Sequence, residues 1–439
     1  MKNISSVIFW VGFYLVLVLA PLLTLMFGEV PRGSGFWWDF SMALGFTGMA
    51  MMGVQFILTA RFKRASTPFG IDIIYYFHRY LALMAVTLIF LHFLIIRVYN
   101  AEALGELNPL QAPWFMTAGR ISLGLFVLLI VTSLWRKPLR IHYDEWRMLH
   151  IALAMTGFLL ALVHIEGVGY YIDAPSKRWL WTAYTLFWLL LIVFLRVIKP
   201  WLLHNKPYRV TEIRQEHGNS WTLSLTPDGH QGMTFQPGQF AWLTLRDSPW
   251  HIKEHPFSIS SSAEKSEQLE FTIKELGDFT RTIKETLVGD IAYLDGPYGA
   301  FSVDRFPDAS GYVFIAGGVG AAPIMSMLRT LADRNEQRPL WFIYGNNSWQ
   351  DVIFREELET LEQRLNLRLV HVLNKPAADW EGESGVITPQ LLRKILPDEK
   401  QKIEYFLCGP KPMSDMVQQE LHKLQVPMSK IHFELFDMV

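Results

Sequence analysis

The sequence predicts a membrane α-helical bundle of six transmembrane helices, followed by a β-barrel domain and an α/β domain with a parallel sheet. Three observations carry that expectation. Hydrophobic residues make up 51% of the 439, and they crowd ahead of Pro200. Beyond Pro200 the chain mixes charges, Gly/Pro turns and short alternating strands, and from Gly311 strands alternate with helical patterns. A chain this long holds two or three domains. A net charge of −1 supplies no basic face, so no nucleic-acid partner is expected.

Six apolar stretches are long enough for a hydrocarbon core, which takes about 20 residues of helix. They cover 4–27, 38–60, 71–98, 117–135, 146–167 and 179–198. The first follows Lys2 and has the general look of a signal peptide. It is too long for that and shows no small-residue cleavage site, so it is read as a span. Basic residues cluster after the second, fourth and sixth stretches: Arg61, Lys63 and Arg64; Arg136, Lys137 and Arg140; Arg196, Lys199 and Lys206. The opposite loops are acidic or mixed, so the positive-inside rule puts both termini, and the domains after the bundle, in the cytoplasm.

The third and fifth stretches contain "HRYLALMAVTLIFLH", from His78 to His92, and "HIALAMTGFLLALVH", from His150 to His164. The common interval of fourteen residues advances a helix by about 21 Å and returns it to within about 40° of the starting face. Both helices run outward, so His78 lies level with His150 and His92 with His164. Imidazoles in hydrocarbon are costly and usually mark function. Four core histidines bonded to carbonyls are the bland alternative, and matched pairs at matched depth argue against it. No carboxylate or thiol accompanies the pairs to complete a tetrahedral zinc site. A planar macrocycle needing two axial nitrogens fits the pattern. Cys408 is the only cysteine, which excludes covalent haem attachment, a four-cysteine iron–sulfur cluster and an intrachain disulfide. The expectation is two stacked b-type haems, ligated by His78 with His150 and by His92 with His164.

In the second half, "YRVTEIRQE", "WTLSLTP", "QFAWLTLRD", "LEFTIKEL" and "DIAYLDGPYG" read as short antiparallel strands of a small barrel. After them "GYVFIAGGVG" leads into "AAPIMSMLRTLADR", "LWFIYGN" into "VIFREELETLEQRL", and "IEYFLCGP" into "KPMSDMVQQELHKL". That alternation is a parallel α/β sheet with its ligand at the strand carboxyl ends. The junction at Gly317, Gly318 and Gly320, running into Pro323, lets backbone amides and a helix N-terminus approach a pyrophosphate. Tight glycine turns also serve packing, so the junction gains weight only from its partners.

Those partners are "EHPFSISS" (254–261), "GDFT" (277–280), "DGPYG" (295–299), "AGGVGAAP" (316–323) and "CGPKPM" (408–413). They occur in the order seen in the ferredoxin–NADP reductase superfamily. With six spans and paired histidines ahead of them, nearly the whole chain resembles the NADPH oxidase/ferric reductase family of transmembrane flavocytochromes b. The resemblance implies a transmembrane haem domain over 1–203, an FAD-binding β-barrel over 204–305 and an NAD(P)-binding α/β domain over 306–439. It implies that Phe257 lies against the flavin, that the Ser258 hydroxyl reaches the N5 region, and that His255 and Pro256 belong to the same flavin-binding strand. His255 stands where soluble reductases carry arginine. Lys274 is implied to balance the FAD pyrophosphate, with Gly277 and Thr280 in the loop beyond it. Gly317, Gly318, Gly320 and Pro323 would receive the dinucleotide, and Cys408, Gly409 and Pro410 the nicotinamide. The tail "HFELFDMV" is similar to family tails ending in an aromatic that covers the flavin; Phe436 is the first candidate and Phe433 the second. An amphipathic strand burying both rings stays open.

The implied activity is that of an NAD(P)H-dependent flavocytochrome b. Electrons would pass from cytoplasmic NAD(P)H through FAD, the inner haem and the outer haem to a small extracytoplasmic acceptor, ferric chelate or dioxygen. A cytochrome-b-like reductase serving a quinone or a protein partner is the alternative, and an anchor with a degenerate reductase domain is disfavoured by intact nucleotide motifs. Arg79 and Arg97 are candidates for haem propionates or for snorkelling to the interface. Glu166, Tyr170, Tyr171 and Asp173 are candidates for contact with a ferric chelate. Asn346 and Asn347 stand where a base would meet a 2′-phosphate, which counts against a preference for NADPH.

Overall fold

The computed structural model describes residues 2–26, 35–62, 71–251, 253–397 and 402–434. The chain forms two compact units, Met1–Pro200 and Trp201–Val439.

The first unit is helical. Its helices are α1 (Lys2–Met26), α2 (Phe36–Thr59), α3 (Ile71–Tyr99), α4 (Trp114–Leu134), α5 (Tyr143–Val168) and α6 (Pro175–Val193). A π-helical turn at Phe194–Ile198 then leads into α7 (Lys199–His204). Pro200 lies just beyond that turn, and its missing N–H is a reason for the ladder to widen there. Five helices are long and apolar enough to cross a membrane: Phe36–Thr59, Ile74–Tyr99, Trp114–Leu134, Tyr143–Val168 and Pro175–His204. At the N-terminus, where a further span is expected, α1 is helical, but the apolar stretch among its described residues, Ile8–Leu23, is shorter. Outward side chains such as Val16, Leu91, Val127 and Leu190 are exposed and apolar, as suits a hydrocarbon solvent.

Helix α2 packs along α3, and α4 along α5. Small residues permit both approaches. A Cβ at Gly48 would stand 2.8 Å from Ile89 Cγ1 and 2.9 Å from the Ala85 carbonyl oxygen; one at Gly157 would stand 2.9 Å from Phe126 Cε1. The Ser122 hydroxyl donates to the Gly157 carbonyl at 2.7 Å. Between these pairs lies a core of Met49, Met52, Ala85, Phe126, Phe158 and Trp188.

The second unit holds two sheets. The first contains β1 (Tyr208–Glu216), β2 (Ser220–Pro227), β3 (Phe240–Leu245), β4 (His255–Ser258), β5 (Leu269–Lys274) and β6 (Ile291–Tyr298). Its order is β4-β3-β6-β1-β2-β5, antiparallel throughout. A bridge between Ile259 and Phe271 brings the two edges together, so the sheet curls around Leu223, Leu225, Leu243, Phe271 and Ile273. A short helix, α8 (Asp278–Arg281), follows β5.

The second sheet is parallel, in the order β10-β9-β8-β7-β11-β12. Its strands are β7 (Gly311–Gly317), β8 (Leu340–Asn346), β9 (Leu367–Leu373), β10 (Glu383–Ser384), β11 (Ile403–Cys408) and β12 (Ile431–Glu434). The helices between them are α9 (Ala321–Asp333), α10 (Arg355–Arg364), α11 (Pro389–Ile395) and α12 (Lys411–Lys423). Nearly every β7 and β11 side chain is buried, as expected for strands covered on both faces.

Arg329 of α9 joins the two sheets. It donates to the Ser260 carbonyl at 2.8 Å and to Glu270 at 2.7 Å, and grips Glu357 of α10 at 2.7 and 2.6 Å. Ser326 adds a bond to the Ser261 carbonyl at 2.7 Å.

Candidate functional site

The expected histidine pairs meet. His78 of α3 faces His150 of α5 with ring centroids 6.2 Å apart. Two metal–nitrogen bonds of about 2 Å each, plus the depth of each ring, require roughly that separation. His92 and His164, fourteen residues further along the same two helices, line one cavity. Among the described residues no group of three or more His, Cys, Asp or Glu gathers to hold a metal. Two imidazoles suffice for a group that brings its own equatorial donors.

Three of the four rings are oriented through Nδ1. The His92 Nδ1–H donates to the Ser41 carbonyl at 2.9 Å, with the Ser41 hydroxyl 3.0 Å away. The His164 Nδ1–H donates to the Phe115 carbonyl at 3.1 Å. Ser133 spends its hydroxyl proton on the Leu129 carbonyl at 2.7 Å, so it accepts from His150 Nδ1 at 3.1 Å. A ring that donates through Nδ1 offers Nε2 as a bare lone pair, the state a metal ligand needs. His78 Nδ1 is buried with no hydrogen-bond partner among the described residues. Glycines make room for two of the rings: a Cβ at Gly119 would lie 2.7 Å from His164 Nδ1, and one at Gly45 would lie 3.0 Å from His92 Nδ1.

Sequence reasoning missed Ser41, Ser133, Gly45, Gly119 and Arg120. Arg120 lines the His92/His164 cavity, where it donates to the Glu106 carbonyl at 2.8 Å and to the Leu104 carbonyl. A guanidinium inside an apolar helix was the available signal. Arg79 and Arg97, the propionate candidates, are exposed, and neither lines this cavity. Tyr170 and Tyr171 do line it. Glu166 and Asp173 are instead paired with Arg178 at 3.0 and 3.2 Å.

In the second unit, β4 carries His255, Pro256, Phe257 and Ser258 in a row. The His255 ring stacks on Phe279 with centroids 3.9 Å apart, and Phe257 lies 6.0 Å from the same ring. Phe279, inside the quoted "GDFT", is a further residue that the sequence reading left out. The Ser258 hydroxyl is buried without a hydrogen-bond partner among the described residues, and a polar atom left so is poised for a ligand. Thr280 is committed locally, its hydroxyl accepting from the Leu276 and Gly277 amides at 2.9 and 2.8 Å. Lys274, expected at the FAD pyrophosphate, lines the same cavity as Gly317, Gly318 and Gly320.

That cavity opens where strand order reverses around β7, the position at which α/β sheets bind ligands. Only glycines allow the loops after β7 and β11 to touch there. A Cβ at Gly409 would lie 2.9 Å from the Gly317 nitrogen, one at Gly317 would lie 2.8 Å from Pro410 Cδ, and one at Gly320 would strike the Cys408 carbonyl. Gly318 has φ +56°, and Pro323 is buried in the first turn of α9. Cys408 ends β11 fully buried, among Phe301, Phe314 and Phe406. Burial, and secondarily the Glu434 carboxylate, push its thiol well above the ordinary range. The cavity wall at this point is Gly409 and Pro410. Phe433 is half exposed on β12, and Phe436 lies outside the described residues.

The first unit carries helices of membrane-spanning length, and the second a curled antiparallel sheet and a parallel sheet with a glycine turn at its switch point. Residues 44–163 match the family model of the ferric reductase like transmembrane component, 207–302 that of an FAD-binding domain, and 314–419 that of the oxidoreductase NAD-binding domain. Their succession matches the architecture of the ferric reductase/NADPH oxidase type of flavocytochrome. The glycine betaine monooxygenase reductase subunit of Chromohalobacter salexigens is 31% identical over 53% of this chain and 64% of its own length. The reductase component of propane 2-monooxygenase from Rhodococcus jostii is 30% identical over 52% and 62%. The chain thus spans less than two thirds of these relatives. Among solved structures, flavohemoglobin from Malassezia yamatoensis aligns over 90% of this chain and 96% of its own, with TM-score 0.50 and 18% identity, a likeness of fold alone. The FAD/NAD-binding domain of nitric oxide dioxygenase from Vibrio cholerae aligns over 53% and 98%, with TM-score 0.46 and 24% identity.

Proposed function

We propose that this protein carries electrons from cytoplasmic NAD(P)H across a membrane, by way of FAD and two b-type haems, to ferric chelate or dioxygen outside. The reading takes α1 as a sixth span, both termini as cytoplasmic, and the chain as three domains over 1–203, 204–305 and 306–439. The observation that carries it is the opposition of His78 and His150 at 6.2 Å, repeated in sequence interval by His92 and His164 on one cavity. Bound FAD would accept a hydride and release electrons singly, and bound haems would relay them.

The chain's own residues hold and orient. Ser41, Ser133 and the Phe115 carbonyl keep Nδ1 protonated on three rings, so each would offer Nε2 to a haem iron. Gly45 and Gly119 leave the space into which two of the rings fit. Arg120 sets a fixed positive charge beside the His92/His164 pair, suited to a carboxylate such as a propionate. Ser258 offers its unpartnered hydroxyl to the flavin edge near Phe257. Gly317, Gly318 and Gly320 admit the pyrophosphate to the α9 N-terminus, while Gly409 and Pro410 form the nicotinamide wall. Cys408 supports that wall from behind, through its backbone.

A second reading, electron delivery to a quinone or protein partner, draws support from relatives whose names make them reductase components of larger systems. The test uses purified protein and sealed vesicles. About one FAD and two haems per chain are expected, with NAD(P)H bleaching the oxidised haem spectrum and impermeant ferric chelate or dioxygen reduced on the far side. Haem-free protein that still reduces soluble acceptors would sink the transmembrane path. Haem reduction that is discharged only by added quinone or partner would select the second reading.

A further inference from the structure

We infer that the nucleotide cavity is selective for NADH and rejects the 2′-phosphate of NADPH; this rests on the proposed function above. In such sheets the adenosine ribose lies beyond the strand next to the glycine turn. An acceptor side chain there takes the ribose hydroxyls, whereas an arginine accommodates a 2′-phosphate. That strand is β8, whose Gly345 lies opposite Gly317. Directly after Gly345 the cavity wall is Asn346 and Asn347, joined by Asp351 from the next turn and Asn374 from the end of β9. The wall is therefore neutral or acidic where the phosphate would sit.

The groups there are placed for a diol. Both polar atoms of the Asn346 amide are buried without a partner at hydrogen-bond geometry among the described residues, although Tyr344 lies beside it. The Asp351 carboxylate is fixed by the Ser348 amide at 3.1 Å and the Ser348 hydroxyl at 2.7 Å. A 2′-phosphate would bring up to about two negative charges toward that carboxylate, a repulsive element that discriminates between the coenzymes.

Two lysines line the cavity, and neither comes from the ends of β8 or β9. The lysines that line it are Lys274 and Lys411. Lys274 ends β5, and Lys411 begins α12, bound to Asp415 at 2.9 Å. Arg355 is bonded to Glu356 at 2.8 Å and lies over the Trp349 ring. Lys375 meets Asn347 through its backbone amide at 2.7 Å, and its exposed side chain is not part of the lining.

The experiment is calorimetric titration of purified full-length protein with ADP-ribose and with 2′-phospho-ADP-ribose. Flavin reduction by NADH and by NADPH is measured in parallel. ADP-ribose is expected to bind about tenfold tighter or more, and kcat/KM to favour NADH in the same sense. Asn347→Arg should tighten 2′-phospho-ADP-ribose and narrow the ratio. Equal or tighter binding of the phosphorylated ligand by the unmodified protein, with NADH still reducing the flavin, overturns the selectivity alone. So does a ratio that Asn347→Arg leaves unmoved. Failure of both ligands to bind, with no flavin reduction by either coenzyme, overturns the proposed function and this inference with it.

Discussion

His371 lies on β9 between the Tyr344 and Trp349 rings, with Nδ1 buried and unpartnered among the described residues. Burial lowers its pKa to about 4, so the folded protein holds it neutral. The unfolded chain protonates it near pH 6.5, by the ordinary value of about 6.5 for histidine. Between those values the unfolded state binds more protons, and stability falls as the pH falls. The contribution is complete above about pH 6.5 and fades toward about pH 4, amounting to on the order of 2–3 kcal/mol. Thermal unfolding of the purified protein between about pH 8 and pH 4 should therefore show a steeper acid decline than His371→Gln. Parallel curves would show that the folded protein protonates the ring as readily as the unfolded chain does. Other single residues were legible only in part. The resemblance implied a flavin contact for Ser258, and its hydroxyl is buried without a hydrogen-bond partner among the described residues. The sequence could not reveal that the Cys408 thiol turns into the core, because "CGP" describes a strand end and not the direction of a side chain. Lys274 illustrates the same limit: its place after β5 was plain, yet only the neighbouring sheet decides which cavity it lines.

At the scale of elements, the join between the curled sheet and the parallel sheet rests on Arg329, whose side chain is 12% exposed. It neutralises Glu270 from β5 and Glu357 from α10 at once. Replacing it with Met should leave both carboxylates without their common partner and cost on the order of 3 kcal/mol, as for other broken buried pairs. Arg329→Lys should recover only part of that, since an ammonium cannot grip Glu357 with two parallel bonds. Denaturant unfolding of the three proteins measures both effects; a midpoint unchanged in Arg329→Met would show that the clasp is energetically neutral. None of this clasp was visible in the sequence, because its members come from segments far apart and their charges look like ordinary surface residues. Strands β1, β2, β3, β5, β6, β7, β8 and β11 were legible, each bounded by turn residues or by a change of period. Strand β9 was not. Only Leu365 and Asn366 separate α10 from "LRLVHVL", so nothing announces where the helical period gives way. Strand β12 is short and exists through its pairing with β11, from Tyr405↔Ile431 to Cys408↔Glu434.

Over the whole molecule, the equal intervals between His78 and His92 and between His150 and His164 were the most legible feature. A spacing repeated on two helices survives without knowledge of the packing. The residues that orient those rings were not legible, since Ser41, Phe115 and Ser133 lie on α2 and α4 and signal nothing in isolation. If each histidine pair holds one haem, the two sites are separable by mutation. His92→Leu removes an axial nitrogen from hydrocarbon where nothing replaces it, so about one haem of two should be lost. NAD(P)H should still reduce the flavin and the haem held by His78 and His150, because that half of the path is untouched, while delivery to the far side should collapse. His78→Leu should differ. The haem of His92 and His164 should be retained in that variant at roughly its normal share, since its ligands and their Ser41 and Phe115 partners remain, but NAD(P)H should no longer reduce it quickly. Pyridine-haemochrome stoichiometry and haem reduction spectra, recorded for both variants, separate the cases. Two haems retained in His92→Leu, with normal electron flow to an impermeant acceptor, would show that these histidines are core residues packed against carbonyls and that the electrons travel by another route.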